Sequence, residues 1–485
     1  MNLLLKNLKT DQKFLISQTI SFGLVLCSLF MIKILGRDLP NQVPLFFTRT
    51  WGEGQLAPKV FLYLIPIAQT LFSLVHLLII NASINKRKNE YATIFNYLNI
   101  FVGFLITAFL LKIVANLSFF PYNKVDARFI NILFPFLISF LISVFSGKYI
   151  IKLARKLNIV TNPNTDSHPA MLIKTPIPRA GVLIFYAGFI ITSLIFLPLN
   201  SKRTIGILIG TSLMTLLGVL DDKYKDINRY IRLGAMAMIA AIPSLFGVII
   251  FYLNNPFNGP IKLDSVVFKF SAFSTEHKIY ILAVIFSIMW MLWIMNTLSW
   301  SNGIDGQFSG IAGIAALTIA ILSLRFAKID QENINTATLS VITAGAVFGT
   351  TLFTWYPQKI LWGFGATAVG LVLASTALLS VSKVAIASLV LLIPLMDGAV
   401  AIVRRVSKGK SPFYGDREHL HHKLLNMGWS KPQVALFYWV ITAALGICAI
   451  VSSGKNTILT VTTFGGIVGF VIILFNLFSV KKGKE

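Results

Sequence analysis

Polar residues interrupt an otherwise apolar chain at four places, and their types suit the binding of a cation or an anion. At the first place, Asp221 and Asp222 close the apolar run GTSLMTLLGVLDD. Two adjacent carboxylates repel each other unless positive charge lies beside them, and Mg²⁺ with bound phosphate is a natural partner for their oxygens. Pairing with Lys223 and Lys225 is the alternative, although the negative end of a helix disfavours carboxylates. The pair is therefore a candidate metal site.

A second polar segment, NTLSWSNGIDG, follows the end of another apolar run. It contains Asn296, Asn302 and Asp305, with glycines that let the backbone approach a ligand closely. Asparagine amides both donate and accept hydrogen bonds, so they suit a polar ligand, and Asp305 adds a third carboxylate. The alternative is an ordinary helix–turn–helix connection in which Asn302 and Asp305 are turn and cap residues.

The third place is the loop SPFYGDREHLHHKLLNMGWSK, which carries three of the six histidines of the chain. His419 and His422 are three residues apart and share a face if this loop is helical. Together with Arg417 and His421 they supply donors suited to phosphate oxygens. Three histidines within four residues do not suit one zinc ion, and no thiols help. A basic loop lying on anionic lipid would explain the lysines and arginines but not the histidines, so we favour a phosphate-binding role.

The fourth place holds a single ionisable residue, Asp397. Asp397 lies in PLMD, inside an apolar stretch, where a charged group is costly and is therefore a candidate for function. It either pairs with Arg404 or Arg405 or supports the metal site from a neighbouring position. Lys174 and Arg179 lie in the proline-rich segment KTPIPRAG, which we interpret as a rigid turn that presents both basic side chains to one face. A plain helix start with positive-inside charge explains the same segment.

The elements that must position these groups are membrane helices. The 485 residues are 55% hydrophobic and 13% charged, with a mean hydropathy of +0.76, which excludes a soluble globule and a disordered chain. Cys27 and Cys448 lie in apolar runs, which excludes a disulfide scaffold. Because a span needs about 20 apolar residues, about fourteen spans are predicted, and the fold class is all-α, a polytopic membrane helix bundle. The stretches are 14–32, 60–82, 93–114, 129–147, 181–200, 204–220, 233–252, 279–298, 309–325, 336–356, 364–381, 384–403, 434–453 and 457–479.

Basic residues predict the orientation. With the N-terminus in the cytoplasm, 27 of the 43 Lys and Arg residues fall on the cytoplasmic side, in the sense of the positive-inside rule. All four polar groups then face the cytoplasm. This pattern predicts a multi-pass membrane protein with its site on the cytoplasmic face. A nucleic-acid partner is not expected, because no soluble basic domain exists to bind one.

In this order along the chain, the motifs resemble those of the polyprenyl-phosphate N-acetylhexosamine-1-phosphate transferases. This is the family of the undecaprenyl-phosphate GlcNAc-1-phosphate transferase and the phospho-MurNAc-pentapeptide translocase. PIPRAG is similar to the family's PIPRxGG, VLDD to its aspartate pair and NTLSWSNGIDG to its NxxNxxDGxDG. The histidine loop resembles DRxHLHHRLLxxG, the most specific motif, which is typical of the GlcNAc branch. The resemblance covers roughly 129–480 and implies an eleven-helix transferase-like domain over 121–485 after a three-helix extension over 1–120.

The resemblance implies an enzyme that moves N-acetylhexosamine-1-phosphate from a UDP-sugar to undecaprenyl phosphate or another polyprenyl phosphate, releases UMP and begins a cell-envelope glycan. It implies Mg²⁺, with Mn²⁺ as the alternative, held by Asp221, Asp222 and Asp305. These three carboxylates and His421 are also the implied catalytic residues. The implied substrate-binding residues are Asn296, Asn302, Arg417, His419, His422, Lys174 and Arg179. The partners are the UDP-N-acetylhexosamine, the lipid phosphate and the membrane, with a homodimer left open.

Two positions depart from the family pattern. Asn302 stands where the family has the first Asp of DGxDG. Gly363-Phe364 stands where it has Gly-Asp, whose Asp ligates magnesium in relatives, and the sequence has no carboxylate between Glu332 and Asp397. The main alternative is therefore an altered family member that binds lipid-linked sugars or scaffolds an assembly. A transporter that couples ions through its carboxylates is a further alternative, which the clustering of charge on one face disfavours.

Overall fold

The computed structural model describes residues 127–451 almost continuously, with gaps at 164–174, 226, 254–260, 273–274, 328–331, 381–382 and 413–417. It also describes 41–45, 56–85, scattered residues between 18 and 110, and Gly466. The chain divides into two compact units, Met1–Phe134 and Pro135–Glu485. The domain boundary expected between 120 and 121 stays a prediction. The spans expected at 93–114 and 457–479 lie largely outside the described residues.

Helices make up most of the described chain. In chain order they are α1 (Leu64–Asn85), α2 (Ala127–Lys156), α3 (Gly181–Phe196), α4 (Lys202–Tyr224), α5 (Arg229–Leu245), α6 (Ile281–Trp300), α7 (Gln307–Arg325), α8 (Glu332–Thr354), α9 (Ala366–Leu379), α10 (Lys383–Val390), α11 (Leu392–Ser407), α12 (Leu420–Asn426) and α13 (Lys431–Val451). Short 3-10 turns at Lys59–Tyr63 and Gly363–Gly365 precede α1 and α9.

Several of these helices can cross a membrane by length and composition. Within the described part of the chain seven qualify: Lys59–Leu78, Ile132–Lys156, Lys202–Tyr224, Ile281–Trp300, Gln307–Arg325, Glu332–Thr354 and Lys431–Ile450. Gly181–Phe196 and Gly363–Leu379 are shorter apolar helices. The mainly helical, multi-pass character predicted from hydropathy is confirmed. The total of about fourteen spans stays a prediction.

The span expected at 384–403 is divided into two short helices, α10 and α11, which meet at Leu391. Pro394 explains the break, because it has no N–H to donate to the carbonyl of Val390 and its ring crowds that carbonyl. The span expected at 384–403 therefore stays a prediction.

Four antiparallel strand pairs accompany the helices within the described residues. They are β1 (Gln42–Pro44) with β2 (Leu56–Pro58), β3 (Val160–Thr161) with β4 (Ile177–Pro178), β5 (Tyr252–Leu253) with β6 (Ile261–Lys262), and β7 (Val267–Ala272) with β8 (Thr275–Tyr280). Most are only two or three residues long, so they fasten loops rather than form a layer of their own.

The PIPRAG segment is extended, which corrects its interpretation as a turn. Part of it is β4, and the next residue, Arg179, forms a parallel bridge with Leu361. Leu361 N–H donates to Pro178 O, and Gly181 N–H donates to Leu361 O, both at 2.8 Å. These bonds fasten the chain before α3 to the chain before α9, and they fix the position of Arg179.

The 3-10 turn Gly363–Gly365 is wedged between α3 and α4. A Cβ at Gly365 would overlap Val182 of α3, and a Cβ at Gly218 of α4 would come within 2.7 Å of Gly365 Cα. Small residues at these positions let the backbones approach closely, as they do between packed membrane helices. The main apolar core of the second unit surrounds this contact and draws residues from every helix between α3 and α13.

Candidate active site

The segment Gly363-Phe364 forms the centre of the candidate active site. Gly363 has a φ of +66°, in the left-handed region that favours glycine. A Cβ there would overlap the carboxylate of Asp222, so the close approach requires glycine as well. On the other side, Asn302 Nδ2 donates to Gly363 O at 3.5 Å. The segment therefore contacts the first and the second polar groups of the sequence.

Asp222, near the end of α4, is fully buried and has two partners on one oxygen. Arg179 Nε lies 2.7 Å from Oδ1, and Phe364 N–H donates to the same oxygen at 2.9 Å. Oδ2 is buried and has no hydrogen-bond partner among the described residues. Since buried carboxylate oxygens normally have partners, Oδ2 is the atom of this site that most needs a cation or a donor.

The neighbouring Asp221 is paired separately. Arg232 of α5 donates from Nη1 to Asp221 Oδ1 at 3.0 Å and to Oδ2 at 3.2 Å. The guanidinium carbon of Arg232 also lies 4.5 Å from the centre of the Phe364 ring, which is a cation–π contact. The repulsion between the two adjacent carboxylates is thus relieved by two arginines from different elements.

The histidine loop reaches the same place through His421. A Cβ at Gly303 would overlap the His421 ring, with Nε2 as its nearest atom, so the ring lies directly against the NGIDG turn. Gly303 follows Asn302, whose side chain bonds the central segment. Asp222, that segment, the NGIDG turn and His421 therefore form one continuous series of contacts.

Asp305 fastens the other side of the NGIDG turn and is 4% exposed. Its Oδ1 accepts from Lys431 Nζ at 3.0 Å, and its Oδ2 accepts from Gln358 N–H at 3.3 Å. Trp439 Nε1 donates to Gly306 O at 3.0 Å. Because Lys431 and Trp439 both lie on α13, the third carboxylate ties the turn to the helix that follows the histidine loop.

The histidine side chains are buried rather than spread on a lipid surface. His421 is 2% exposed and His422 4%, and their ring centres are 4.3 Å apart. Burial, followed by the charges that His422 and His419 can carry, holds the pKa of His421 well below its ordinary value of 6.5. His421 is therefore neutral at pH 7, and its Nδ1 has no partner within the described part of the chain.

Three other residues named from the sequence have different outcomes. Asn296 lies on α6, and its Nδ2 donates to Leu292 O of the same helix at 2.8 Å, so that donor serves its own helix. Lys174 and Arg417 lie outside the described residues, and their roles as substrate ligands stay predictions.

The expected metal ligands do not form a complete coordination site by themselves. Among the residues that the structure describes, no three His, Cys, Asp or Glu side chains are grouped so that they could hold a metal ion. All three carboxylates face a basic side chain, but Asp222 also keeps a buried oxygen without a described partner. Mg²⁺ commonly binds through one or two carboxylates together with substrate phosphates and waters. The donor set fits an ion of that kind and does not fit one held by protein ligands alone.

Four contributors to this geometry are absent from the sequence prediction as site groups: Arg232, Lys431, Gln358 N–H and Phe364 N–H. Arg232 and Lys431 enter that prediction only as positive charges that set the topology. Each lies in the first turn of a helix that follows a polar group, where the macrodipole disfavours a basic side chain. That unfavourable position is the signal that could have marked them. The two backbone donors leave no trace in residue types.

This fold and site define an integral membrane protein that gathers carboxylates, basic side chains and histidines around one segment. A sequence model of the family described as Glycosyl transferase family 4 matches residues 204–381. The match includes the aspartate pair, the NGIDG turn and the central Gly363-Phe364 segment.

Individual relatives agree with this match. The chain is 26% identical over 363 residues to a probable undecaprenyl-phosphate N-acetylglucosaminyl 1-phosphate transferase of Bacillus subtilis, across 72% of this chain and 91% of the relative. It is 28% identical to a decaprenyl-phosphate N-acetylglucosaminephosphotransferase of Mycobacterium leprae, across 65% and 83%. It is 25% identical to a phospho-N-acetylmuramoyl-pentapeptide-transferase of Clostridioides difficile, across 65% and 96%.

The comparisons support the resemblance to the polyprenyl-phosphate N-acetylhexosamine-1-phosphate transferases that the motifs predicted. These relatives are phosphotransferases by name, and none of them supports the alternative of a binding or scaffold protein.

Proposed function

We propose that the protein transfers N-acetylhexosamine-1-phosphate from a UDP-sugar to undecaprenyl phosphate or a related polyprenyl phosphate. An oxygen of the lipid phosphate attacks the phosphorus that carries the sugar. The bond from that phosphorus to the bridging oxygen breaks, and UMP leaves with that oxygen. The product is a polyprenyl diphosphate-linked amino sugar, which begins a cell-envelope glycan.

The observation that carries this proposal is the series of contacts from Asp222 through Gly363-Phe364 and the NGIDG turn to His421. It joins groups that are up to about two hundred residues apart in sequence around one segment. Phosphoryl transfer depends mainly on positioning and on neutralising charge, and this cluster offers half-buried cations and neutral donors for both.

The chain's own residues divide these tasks. Arg179 and Arg232 place positive charge beside the carboxylate pair, where two anionic reactants must meet. Asp221 orients the lipid phosphate and takes up its remaining proton, with Arg232 holding the carboxylate in place. His421, neutral and buried, donates to or accepts from the nucleotide diphosphate without bringing a charge of its own. Asn302 binds the uridine or the sugar.

Mg²⁺, or Mn²⁺ in its place, is the cofactor we propose. Asp222 would hold it, because its Oδ2 is the carboxylate oxygen without a described partner, and the substrate phosphates would complete the ligand set. When bound, the ion supplies charge neutralisation on the diphosphate. Asp221 and Asp305 become ligands in this proposal only if their basic partners turn to the substrate.

The setting we propose is the bacterial plasma membrane, with the site on the cytoplasmic face. The support is the positive-inside excess and the burial of the site between helices that can span a bilayer. A cytoplasmic UDP-sugar then meets a lipid whose tail stays in the bilayer. The extension over 1–120 remains a proposed separate module, and a homodimer remains open.

Transfer of label tests the proposal directly. The purified full-length protein is supplied with radiolabelled UDP-GlcNAc, Mg²⁺ and undecaprenyl phosphate, and labelled lipid and free UMP are measured. We expect both products in equal amounts. Failure to form labelled lipid with any common UDP-N-acetylhexosamine would contradict the proposed activity.

Two variants and one control sharpen this test. Asp222→Asn and His421→Ala should each lower turnover by about 100-fold or more, the usual effect of losing one group that stabilises developing charge. Asp264→Asn is the matched control, because Asp264 is an exposed carboxylate in the segment before β7. Its turnover should stay within about twofold of wild type. Unchanged turnover of Asp222→Asn would remove that residue from the site.

A further inference from the structure

Asp397 makes two hydrogen bonds at the start of α12. It lies on α11 and is 8% exposed. Its Oδ2 is 2.7 Å from His419 Nδ1, and its Oδ1 accepts from the N–H of Leu420, the first residue of α12, at 3.0 Å. One carboxylate thus fixes both a histidine ring and the first backbone donor of the helix that carries His421 and His422.

Arg405 holds the opposite edge of the same ring. It lies two turns after Asp397 on α11, and its Nη2 is 3.1 Å from His419 Nε2. Its Nη1 donates to Pro412 O at 2.6 Å, and its guanidinium carbon lies 5.3 Å from the centre of the Trp300 ring. These contacts fix the position of the Arg405 guanidinium.

The two partners determine the tautomer of His419. Guanidinium nitrogens only donate, so His419 Nε2 must be the acceptor and carries no proton. The ring proton of the neutral histidine then lies on Nδ1 and is donated to Asp397 Oδ2. Both ring nitrogens of His419 are therefore committed within the protein, and the residue is only 6% exposed.

His419 in turn packs against the histidine that contacts the NGIDG turn. The rings of His419 and His421 are nearly parallel, at an interplanar angle of 4°, with their centres 5.7 Å apart. His421 Nδ1 is buried without a partner among the described atoms, whereas neither nitrogen of His419 is available. The two histidines therefore have different chemical capacities although they are two residues apart.

We propose that His419 is a positioning residue, locked by Asp397 and Arg405, and that it sets the place of His421 without touching substrate. This inference rests on the proposed function and divides the histidine loop into a fixed residue and a reactive one. It also replaces both sequence interpretations of Asp397, since the carboxylate serves a histidine. The proposal replaces the expected role of His419 as a substrate ligand.

A double-mutant cycle measures whether Asp397 acts through His419. Asp397→Ala and His419→Ala should each lower kcat by about 10- to 100-fold, the usual effect of removing a group that orients a reactive residue. KM for the UDP-sugar should change less, by about threefold at most, because the substrate loses no contact. The double variant should be within about threefold of either single variant. Losses that multiply would overturn the proposal.

A conservative replacement separates positioning from substrate binding. His419→Asn can donate an amide N–H from near the position of Nδ1, so it should retain turnover within about tenfold of wild type. A residue that binds phosphate or transfers a proton would lose as much activity with Asn as with Ala, and that result would refute the assignment. Glu418→Gln is the control on the same loop, because this partly exposed glutamate pairs with Arg404 and Lys408 and should change turnover by about twofold or less.

Nitrogen NMR measures the tautomer of His419 independently of turnover. The chain has six histidines, so ring-¹⁵N labelling gives few signals, and His419 is assigned by its absence from His419→Asn. We expect the neutral form with the proton on Nδ1 in wild type and a change in that signal in Asp397→Ala. A proton on Nε2 in the wild-type protein would overturn the proposal. Lack of transfer with a normal His419 signal would instead count against the proposed function.

Discussion

Replacing Gly363 by alanine should disrupt the centre of the candidate site. The residue has a φ of +66°, and an added Cβ would overlap the Asp222 carboxylate. The carboxylate cannot stay where it accepts from Arg179 and from Phe364 N–H while the new methyl group occupies the same space. Gly363→Ala therefore changes the site without removing any functional side chain.

The magnitude has two parts. A left-handed backbone costs alanine about 1–2 kcal/mol relative to glycine. Hydrogen bonds to charged groups contribute about 1.5–3 kcal/mol each, so displacing Asp222 from its two partners costs on the order of 3 kcal/mol or more. The total exceeds a pure backbone penalty by about 3 kcal/mol. For a chain of 485 residues this corresponds to about 3 °C in the midpoint of thermal unfolding.

Gly409→Ala is the matched control for this prediction. Gly409 has a φ of +68°, and a Cβ there would have no neighbour within 4 Å. It shares the backbone penalty without the overlap. Unfolding midpoints of the purified proteins and label transfer to lipid are measured for both variants. We expect turnover to fall by about 100-fold or more in Gly363→Ala and by less than about twofold in Gly409→Ala. Equal stability and turnover of the two variants would refute the described contact between Gly363 and Asp222.

Three other outcomes follow from the site. Because the pKa of His421 is lowered, the unfolded chain binds a proton there that the folded chain does not, so stability falls as pH drops below about 6.5. His421→Asn should lessen that fall by up to about 1.4 kcal/mol per pH unit. Parallel pH profiles of unfolding for the two proteins would contradict this. Lys431→Met should destabilise the protein by about 3 kcal/mol, measured by thermal unfolding, because it leaves Asp305 buried without its cation; a loss below about 1 kcal/mol would exclude a stabilising role for the pair. Mn²⁺ should bind wild type at least about fivefold more tightly when UMP is present, whereas Asp222→Asn should lose that coupling; equal coupling in both proteins would place the metal elsewhere.

The fold was predictable as far as apolar length determines it. Hydropathy predicts where α4, α6, α7, α8 and α13 cross, because the hydrocarbon thickness leaves few other solutions for such stretches. It does not predict the break at Leu391, because Pro394 acts on one carbonyl inside a stretch whose average stays apolar. The extended conformation of PIPRAG was not predictable from the sequence either, because it depends on a bridge to Leu361 far along the chain.

The candidate site was predictable in its residue types and less so in its pairing. Asp222, Asn302 and His421 were identifiable because polar groups are costly in an apolar chain and therefore indicate a function. Their partners were not, because Arg232 and Lys431 look like ordinary topology-setting charges until the fold brings them to a carboxylate. The family pattern supplied the order of the motifs, but it could not show that Phe364 contributes its backbone N–H to Asp222.

The pairing of charges explains why nucleotide and metal should need each other. Three carboxylates in the described site face three basic side chains, so the pairs add no net charge to attract a diphosphate. A phosphate group can take the donors of an arginine in bidentate fashion, but the carboxylate it displaces is then buried without a cation. A divalent ion that arrived with the phosphate would remove that cost, because it would neutralise the released carboxylate and the diphosphate together. Binding of either one alone would leave a buried charge without a partner, and its desolvation cost is the physical source of the predicted coupling.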